Sequence, residues 1–327
     1  LHDLRISVTD RCNFRCPYCM PAEIFGERYE FLPRQEILTF EEIERIVRAC
    51  TDLGVSKVRV TGGEPLLRRE IESLIQSLSA IPGVADLTLT TNGSLLSGKA
   101  PALKAAGLNR ITISLDSIDP KVFRLMAGRD ESPNVVLDAL KEANKAGLGP
   151  IKINAVVKQG VNDHTFVDLA RHFHGSGHIV RFIEYMDVGN RNDWQLNHVV
   201  PADEIISRIN NVLPLEPIDA NYRGEVARRY RYKDGGGEIG VIASVSQPFC
   251  GDCTRLRLST DGKLFTCLFA SSGTDLRQFL RKGASDQDLC QRIESVWSKR
   301  NDRYSEIRTD RTSMGLLKKV EMYQIGG

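Results

Sequence analysis

Six short runs rich in β-branched residues alternate with helix-period segments between residue 5 and about residue 186. We predict strands at residues 5–8, 57–61, 86–91, 110–115, 151–157 and 179–185. Between them lie amphipathic segments such as residues 40–53, whose apolar residues recur at helical spacing behind Thr39 and Glu42, a capping-box pair. Six strand–helix units in series imply a parallel sheet with right-handed crossovers, either doubly wound or closed into a full or partial barrel.

Polar motifs follow four of these predicted strands directly. In parallel sheets of this kind, catalytic residues gather at the carboxyl ends of the strands. The motifs are Cys12, Gly62-Gly63-Glu64-Pro65, Thr91-Asn92-Gly93 and Ser114-Leu115-Asp116, after the first to fourth strands in turn. We therefore expect a single site at this edge of the sheet.

The pattern changes after about residue 215, where hairpins replace strand–helix units. Residues 225–232 and 239–245 flank a glycine-rich turn, and residues 255–259 and 263–269 flank Asp261-Gly262. Helices are predicted at residues 275–280 and 286–300. We predict two parts, a partial barrel at residues 1–215 and a C-terminal α+β subdomain at residues 216–327.

The composition is that of an ordinary globular protein and suggests neither disorder nor a membrane protein. The formal net charge of the 327 residues is only +2, so electrostatics give no reason to expect a nucleic-acid partner. No apolar run approaches the ~18 residues of a membrane-spanning helix. The eight cysteines are clustered, unlike those of a disulfide scaffold, which favours metal binding in a reducing compartment.

The first cysteine set, Cys12, Cys16 and Cys19, follows the first predicted strand. Such soft thiolates bind zinc or iron–sulfur clusters, but structural zinc normally takes a closed set of four ligands. Three ligands on a four-iron cube leave one iron open. An open iron can bind the amino and carboxylate groups of S-adenosylmethionine and reduce its sulfonium, which yields methionine and a 5′-deoxyadenosyl radical.

The second cysteine set, Cys250, Cys253 and Cys267, lies in the appended subdomain. A zinc site would need a fourth ligand, and we interpret Cys50 and Cys290, each within a helical pattern, as small apolar residues of the core. We therefore favour a second iron–sulfur cluster over a zinc site. Its open iron could bind a substrate directly.

Arg255 and Arg257 alternate along a predicted strand, so their side chains point to the same face. Two guanidiniums beside a cluster could accept a triphosphate through forked hydrogen bonds. The alternative is a solvated pair on an edge strand.

The first cysteine loop, with Tyr18 before its last cysteine, and the Gly62-Gly63-Glu64-Pro65 motif resemble the signature of the radical S-adenosylmethionine superfamily. The second cysteine set, the Thr-Arg-x-Arg motif at 254–257, residues 181–189 and the terminal glycine pair narrow the resemblance to the molybdenum cofactor biosynthesis protein A family, the GTP 3′,8-cyclases. This resemblance covers essentially the whole chain. It implies a partial (β/α)6 TIM-like barrel, two [4Fe-4S] clusters and bound S-adenosylmethionine.

The resemblance also implies roles for individual residues. GTP is expected at Arg5, Arg59, Thr90, Lys152, Arg255 and Arg257, and S-adenosylmethionine at Tyr18, Gly63, Ser114 and Met186. A cation that faces inward from a strand would be costly unless an anion met it, which agrees with the positions of Arg5, Arg59 and Lys152. Gly326 and Gly327 are expected to reach the active site and to support activity.

The implied reaction, that of a lyase, begins with abstraction of hydrogen from C3′ of the GTP ribose. The C3′ radical attacks C8 of guanine and gives (8S)-3′,8-cyclo-7,8-dihydroguanosine 5′-triphosphate after reduction and protonation, the first step of molybdenum cofactor biosynthesis. Implied partners are a flavodoxin or ferredoxin-type electron donor and the cyclic pyranopterin monophosphate synthase that follows. A homodimer is left open, and a bacterial cytoplasm is favoured over a mitochondrial matrix.

Two other functions fit parts of this pattern. One is a radical S-adenosylmethionine enzyme that modifies a peptide and carries an auxiliary cluster, although such enzymes usually have more C-terminal cysteines. The other is a non-enzymatic protein, stabilised by zinc or carrying electrons. Anaerobic metal analysis separates them, because zinc in place of iron would reject the enzyme.

Overall fold

The computed structural model describes residues 1–308 and 318–326 of the chain. Six consecutive strands, each parallel to the next, form the centre of its sheet. They are β1 (Asp3–Ser7), β2 (Lys57–Thr61), β3 (Asp86–Thr91), β4 (Arg110–Ser114), β5 (Lys152–Val157) and β6 (Ile179–Glu184). All six predicted strands are confirmed, with small differences at their ends.

Helices cross between these strands and cover the outer face of the sheet. They are α1 (Phe40–Asp52), α2 (Ile71–Ser79), α3 (Ala100–Ala105), α4 (Pro120–Ala127), α5 (Pro133–Lys145) and α6 (Phe166–Phe173), followed by α7 (Ala202–Asn210). The predicted capping box starts α1, where the Thr39 hydroxyl accepts the Glu42 N–H at 3.2 Å and the Glu42 carboxylate accepts the Thr39 N–H at 2.8 Å.

Strands from the second half of the chain extend both edges of the same sheet. They are β7 (Leu215–Ile218), β8 (Arg228–Tyr232), β9 (Glu238–Ile242), β10 (Arg255–Leu258), β11 (Lys263–Phe265) and β12 (Thr274–Asp275). The predicted hairpins are confirmed as the antiparallel pairs β8–β9 and β10–β11. Because β9 pairs in parallel with β6 and β10 with β1, the strand order is β12-β11-β10-β1-β2-β3-β4-β5-β6-β9-β8-β7.

This open, curved sheet is a partial barrel of the TIM type, which decides against the doubly wound alternative. The predicted C-terminal helices are present as α8 (Arg277–Arg281) and α9 (Asp286–Ser298), and α10 (Met322–Ile325) follows near the end. Strands from both predicted parts share one sheet, and the division at residue 215 stays a prediction. Within the described ranges, no helix has both the length and the apolar character needed to cross a membrane.

Side chains alternate between the two faces of the sheet. On β1, Leu4 and Ile6 are fully buried in the main hydrophobic core, whereas Arg5 between them lines the interior of the barrel. The register places Arg5 beside Arg59 of β2 and beside Arg257 of β10. Three arginines therefore lie at one level across three neighbouring strands.

Candidate active site

All six cysteines of the two predicted sets line one cavity of about 270 Å³ inside the barrel. Most of the other predicted site residues line it as well, namely Arg5, Tyr18, Arg59, Gly63, Thr90, Ser114, Met186, Arg255 and Arg257. Lys152 lines a smaller adjoining cavity of about 30 Å³, which shares Arg5, Arg59 and Arg255 with the larger one. The structure thus brings the two predicted ligand groups into one connected region.

The Gly62-Gly63 loop packs on the backbone of the first cysteine loop. The Gly63 N–H donates to the carbonyl of Thr9 at 2.7 Å, and a Cβ on Gly63 would lie only 2.3 Å from the carbonyl oxygen of Arg11. A Cβ on Gly62 would lie 2.7 Å from the Thr9 carbonyl oxygen. Absent side chains are therefore required to fit the two loops together. The contact of Gly63 with S-adenosylmethionine stays a prediction.

Glu64 joins the ends of β2 and β3. Its carboxylate accepts the Thr91 hydroxyl and the Asn92 N–H, both at 2.8 Å, while full burial raises the pKa of Glu64 to about 7. The amide nitrogen of Asn92 lies 3.8 Å from the sulfur of Cys12. A buried carboxylate thus sets the position of a polar group beside the first cysteine set.

Tyr18 is fixed by a buried carboxylate at the end of β4. Its hydroxyl donates to Asp116 at 2.8 Å, and the other oxygen of Asp116 accepts the N–H of Val156 at 2.8 Å. Burial raises the pKa of Asp116 to about 6. These bonds orient the Tyr18 ring along the cavity wall, between the first cysteine set and β5.

Among the described residues, no carboxylate lies within ion-pair distance of the cations on the floor of the two connected cavities, namely Arg5, Arg59, Lys152 and Arg181. Burial, with neighbouring guanidiniums as a further cause, lowers the pKa of Arg5 to about 9 and those of Arg59 and Arg181 to about 10. Burial, followed by the charge of Arg181, lowers the pKa of Lys152 to about 7.

Three carboxylates lie near this floor, and each is engaged elsewhere. Glu225, which lines the smaller cavity and favours the charged form of Lys152, accepts the N–H of Asn221 at 2.7 Å. Asp86 pairs with Arg110, and both Asp86 and Asp3 lie within 4 Å of the Lys57 ammonium. In the described part of the chain, no salt bridge reaches Arg59, whose guanidinium donates instead to hydroxyls of Thr90 and Thr112. Buried cations without a carboxylate in direct contact form a site for an anion.

Arg255 and Arg257 are not a solvated edge pair, because β10 lies between β1 and β11 and both side chains face the cavity. The Arg255 guanidinium donates to the sulfur of Cys253 at 3.3 Å, and Arg300 donates to the Cys253 carbonyl at 2.7 Å. Burial alone would raise the pKa of Cys253, but the charges of Arg255 and Arg300 bring it below its ordinary value. The surroundings of this thiol favour a thiolate.

The first cysteine set is more deeply buried. Burial raises the pKa of Cys12 to about 11 and raises those of Cys16 and Cys19 further. A bound metal cluster would supply the positive charge that these buried thiolates need. Three soft donors on one loop fit such a cluster, although in the described residues no three His, Cys, Asp or Glu side chains converge closely enough for a single metal ion.

The two remaining cysteines are placed away from the cavity. Cys50 is fully buried in the main core, and the sulfur of Cys290 lies 4.0 Å from the carbonyl oxygen of Ala49, between α9 and α1. Neither lines the cavity, so Cys290 does not join the second cysteine set.

The end of the described chain reaches the cavity wall. Gly326 is buried, and its carbonyl accepts a hydrogen bond from Arg257. Its φ is +71°, and a Cβ there would lie 2.2 Å from a methyl carbon of Thr61. Only glycine fits this position without displacement. Gly327 lies outside the described residues.

Several residues of the site had no role assigned from the sequence, namely Glu64, Asn92, Asp116, Asn154, Arg181 and Arg300. The strand-end motifs already contained Glu64, Asn92 and Asp116. Arg181 could have been found by alternation along β6, because it opens the 181–189 motif and faces Asn154 in the parallel register. Nothing in the local sequence marked Arg300.

A sequence model of the Radical SAM superfamily matches residues 6–173, and one described as Molybdenum Cofactor Synthesis C matches residues 178–306. Among solved structures, Streptococcus suis SuiB bound to S-adenosylmethionine has a similar fold, with a TM-score of 0.63 at 18% identity over 98% of this chain and 72% of its own. The fold, the cysteine loop and these matches define a radical S-adenosylmethionine enzyme.

Curated relatives narrow that class. GTP 3′,8-cyclase of Acidothermus cellulolyticus is 55% identical over 94% of this chain and 86% of its own length. The enzymes of the same name from Xanthomonas axonopodis pv. citri and Staphylococcus carnosus are 50% and 48% identical over 100% of this chain and 96% of theirs. The chain belongs to the GTP 3′,8-cyclase family.

Proposed function

We propose that this protein converts GTP into (8S)-3′,8-cyclo-7,8-dihydroguanosine 5′-triphosphate, the first step of molybdenum cofactor biosynthesis. One observation carries the proposal. In the part of the chain that the structure describes, a row of buried cations with no carboxylate in ion-pair contact lies on the floor of the same cavity that both cysteine sets line. An anion would offset the cost of burying these charges, and a triphosphate offers several negative charges to the row.

The donor sets fit two iron–sulfur clusters. Cys12, Cys16 and Cys19 would bind the first, on which S-adenosylmethionine is cleaved, and the second cysteine set would bind the other, beside the substrate. When bound, the first cluster and S-adenosylmethionine supply the one-electron chemistry that removes a hydrogen atom from the substrate. The residues proposed to bind S-adenosylmethionine are Tyr18, Gly63, Ser114 and Met186.

The protein's own groups bind, orient and exclude water. Arg5, Arg59 and Lys152, with Arg181, would hold the triphosphate on the cavity floor, which leaves the guanosine directed towards the cysteine sets. Enclosure by the barrel keeps solvent from the reacting carbon. The nucleotide loses one hydrogen atom from C3′, forms the C3′–C8 bond and gains one hydrogen on the guanine ring, so the product is an isomer of GTP. Counted together with the cleavage of S-adenosylmethionine to methionine and 5′-deoxyadenosine, the change consumes two electrons and one proton.

The proposal is tested with anaerobically reconstituted, reduced protein, S-adenosylmethionine and GTP deuterated at C3′. We expect deuterium in 5′-deoxyadenosine, together with a cyclised nucleotide that has the mass of unlabelled GTP, because one hydrogen on the guanine ring replaces the deuterium lost from C3′. Deoxyadenosine formed without consumption of GTP would reject the proposed substrate and leave only the superfamily chemistry.

The two-cluster assignment has its own measurement. Two cubes require about eight irons per chain with matching sulfide. Cys267→Ala should lose about half of the iron, whereas the matched control Cys290→Ala, outside the cavity, should keep all of it. Zinc in place of iron, or equal iron in the two variants, would contradict the assignment.

Removal of Gly326 and Gly327 is expected to abolish cyclisation while iron content stays unchanged. The reason is that the Gly326 carbonyl bonds to Arg257 in the cavity, whereas neither glycine is a predicted ligand of a cluster. Product is measured by chromatography and iron by colorimetry on the same sample. Full activity of the truncated protein would reject a role for the glycine pair.

We also propose the surroundings in which the reaction runs. A flavodoxin or ferredoxin-type donor would supply the electrons, and the cyclic pyranopterin monophosphate synthase would take the product, in a bacterial cytoplasm. Whether the protein works as a homodimer stays a prediction of the resemblance.

A further inference from the structure

The loop after β6, residues 185–192, contacts the C-terminal segment and is called here the tail socket. Asp187 of the socket is almost fully buried. Its carboxylate accepts a hydrogen bond from the Tyr304 hydroxyl and one from Arg308 at 2.7 Å, while Lys319 donates to it at 2.7 Å and to the Asp187 carbonyl at 2.6 Å. One carboxylate therefore joins residues that precede and follow positions 309–317.

A second part of the tail socket forms hydrogen bonds with the backbone of the segment. The amide oxygen of Asn190 accepts the Lys319 N–H at 2.8 Å, and its amide nitrogen donates to the Lys319 carbonyl. Glu321 accepts the backbone N–H of Asn190 at 3.2 Å. A Cβ on Gly189 would lie 2.1 Å from an oxygen of Glu321, so this carboxylate packs in the space left by the glycine.

Beyond the tail socket the segment crosses between the two cysteine loops to the cavity wall. The Tyr323 hydroxyl bonds to that of Tyr29 at 2.8 Å, and the Tyr323 ring packs in the apolar cluster that includes Cys12 and Cys19. Met322 contacts the apolar cluster that includes Cys267. The path ends at Gly326, on the guanidinium of a predicted GTP ligand.

We propose that the tail socket fixes the depth at which Gly326 enters the active site, with Asp187 as its principal positioning residue. The inference rests on the proposed function. Arg308 and Lys319 both bond to this carboxylate, so its loss removes a contact that joins the chain before positions 309–317 to the chain after them. The strand β6, which carries Arg181, ends at Glu184 directly before the tail socket, so the socket and the cationic floor are joined through one strand.

The first test uses a matched pair of glycine variants. Gly189→Ala and Gly175→Ala impose similar backbone strain, at φ of +65° and +74°, but only at Gly189 does the new methyl group meet another atom. In the reconstituted protein we expect hydrogen exchange of residues 318–326 to quicken at least about tenfold in Gly189→Ala and to stay unchanged in Gly175→Ala. Equal hydrogen exchange of residues 318–326 in the two variants would overturn the proposal that the tail socket holds this segment.

The second test asks whether position matters for catalysis. Asp187→Asn keeps the shape and removes the charge; we expect kcat for GTP cyclisation to fall at least about tenfold while the Kd of GTP changes less than about twofold. Iron content and melting temperature are measured alongside, and Gly189→Ala should show the same kcat-selective loss if Asp187→Asn does not fold. A normal kcat in a variant whose tail exchanges faster would overturn the positioning role.

The exchange measurement does not depend on the reaction. If the unaltered protein fails to cyclise GTP, the proposed function fails while the Gly189 and Gly175 pair still decides whether the socket holds the segment. If the unaltered protein cyclises GTP and hydrogen exchange of residues 318–326 is the same in Gly189→Ala and Gly175→Ala, the tail-socket proposal is rejected and the proposed function is retained.

Discussion

Arg5, Arg59 and Arg257 lie at one level of three neighbouring strands because the parallel register aligns them. Each is flanked along its strand by apolar residues buried on the other face, so none can turn away without exposing core. Burial and mutual repulsion both disfavour their charged forms, which the lowered pKa of Arg5, to about 9, reflects. A bound polyanion would relieve the repulsion and offset the cost of burial.

Lys152 provides a test of this electrostatic balance. Its pKa in the free protein is about 7, because burial and then Arg181 disfavour the ammonium form. A triphosphate favours that form and raises the pKa, so GTP binding takes up a proton wherever free Lys152 is neutral. GTP affinity should therefore fall as pH rises above about 7. Titration calorimetry from pH 6.5 to pH 8.5 would measure the fall.

The control for this prediction is a cation that cannot lose its proton. Lys152→Arg stays charged throughout the range, so the fall in affinity should disappear, while Lys121→Arg on an exposed part of α4 should behave like the unaltered protein. Titration of the GTP phosphates is common to all three proteins. Identical pH profiles for the two variants would show that Lys152 does not contact the triphosphate.

At the scale of elements, the loop after β2 and the loop after β1 form one unit. They share two backbone hydrogen bonds, from Gly63 to the Thr9 carbonyl and from Glu64 to the Arg11 carbonyl, and no side chain separates them. These bonds hold the backbone of the cysteine loop in place directly before Cys12, its first predicted cluster ligand. The glycines matter for assembling the site before any cofactor arrives.

Gly63→Ala should displace the first cysteine loop and reduce cluster loading. The added Cβ would lie 2.3 Å from the Arg11 carbonyl oxygen, a clash with backbone that cannot be relieved by a rotamer change and that costs about 1–3 kcal/mol. We expect about half of the iron to be lost, since the second set is untouched. Gly26→Ala is the control, because its Cβ would find only ordinary contact at 3.5 Å. Full iron content in Gly63→Ala would show that the loops adapt.

Local patterns were enough to predict the strands, hairpins and cysteine sets, because side-chain period and ligand spacing are properties of neighbouring residues. They were not enough for Arg300, whose bond to the Cys253 carbonyl joins residues 47 positions apart, or for the Asp187 contact with Lys319, 132 positions apart. Such contacts depend on how elements pack. The position of Lys152 could likewise not be predicted from neighbouring residues. Its strand was predicted correctly, but its place in the smaller cavity depends on how the strands are arranged in the barrel.

At the scale of the whole molecule, the second half of the chain completes the barrel interior. β10 extends the sheet beside β1, and β9 extends it beside β6. The second cysteine set follows β9 and β11, so extension at both edges brings it to face the first set across the cavity. The subdomain is therefore part of the active-site wall, and its arginines complete the cationic floor.

This architecture predicts that a triphosphate alone stabilises the whole fold. Inorganic tripolyphosphate at about a hundredfold excess over its Kd should raise the melting temperature of the reconstituted protein by about 5 °C, whereas guanosine at the same concentration should raise it far less. The rise should shrink with added salt, because the interaction is mainly between charges.

Arg181→Ala isolates the contribution of the floor to this stabilisation. It removes one buried guanidinium, so its melting temperature without ligand should be close to or above that of the unaltered protein while the rise with tripolyphosphate becomes smaller. Arg228→Ala removes an exposed arginine on β8 and should leave the rise intact. Because both variants lower the net charge by one, a difference between them measures position and not bulk charge. An equal rise in the two would place the triphosphate elsewhere and separate the cationic floor from substrate binding.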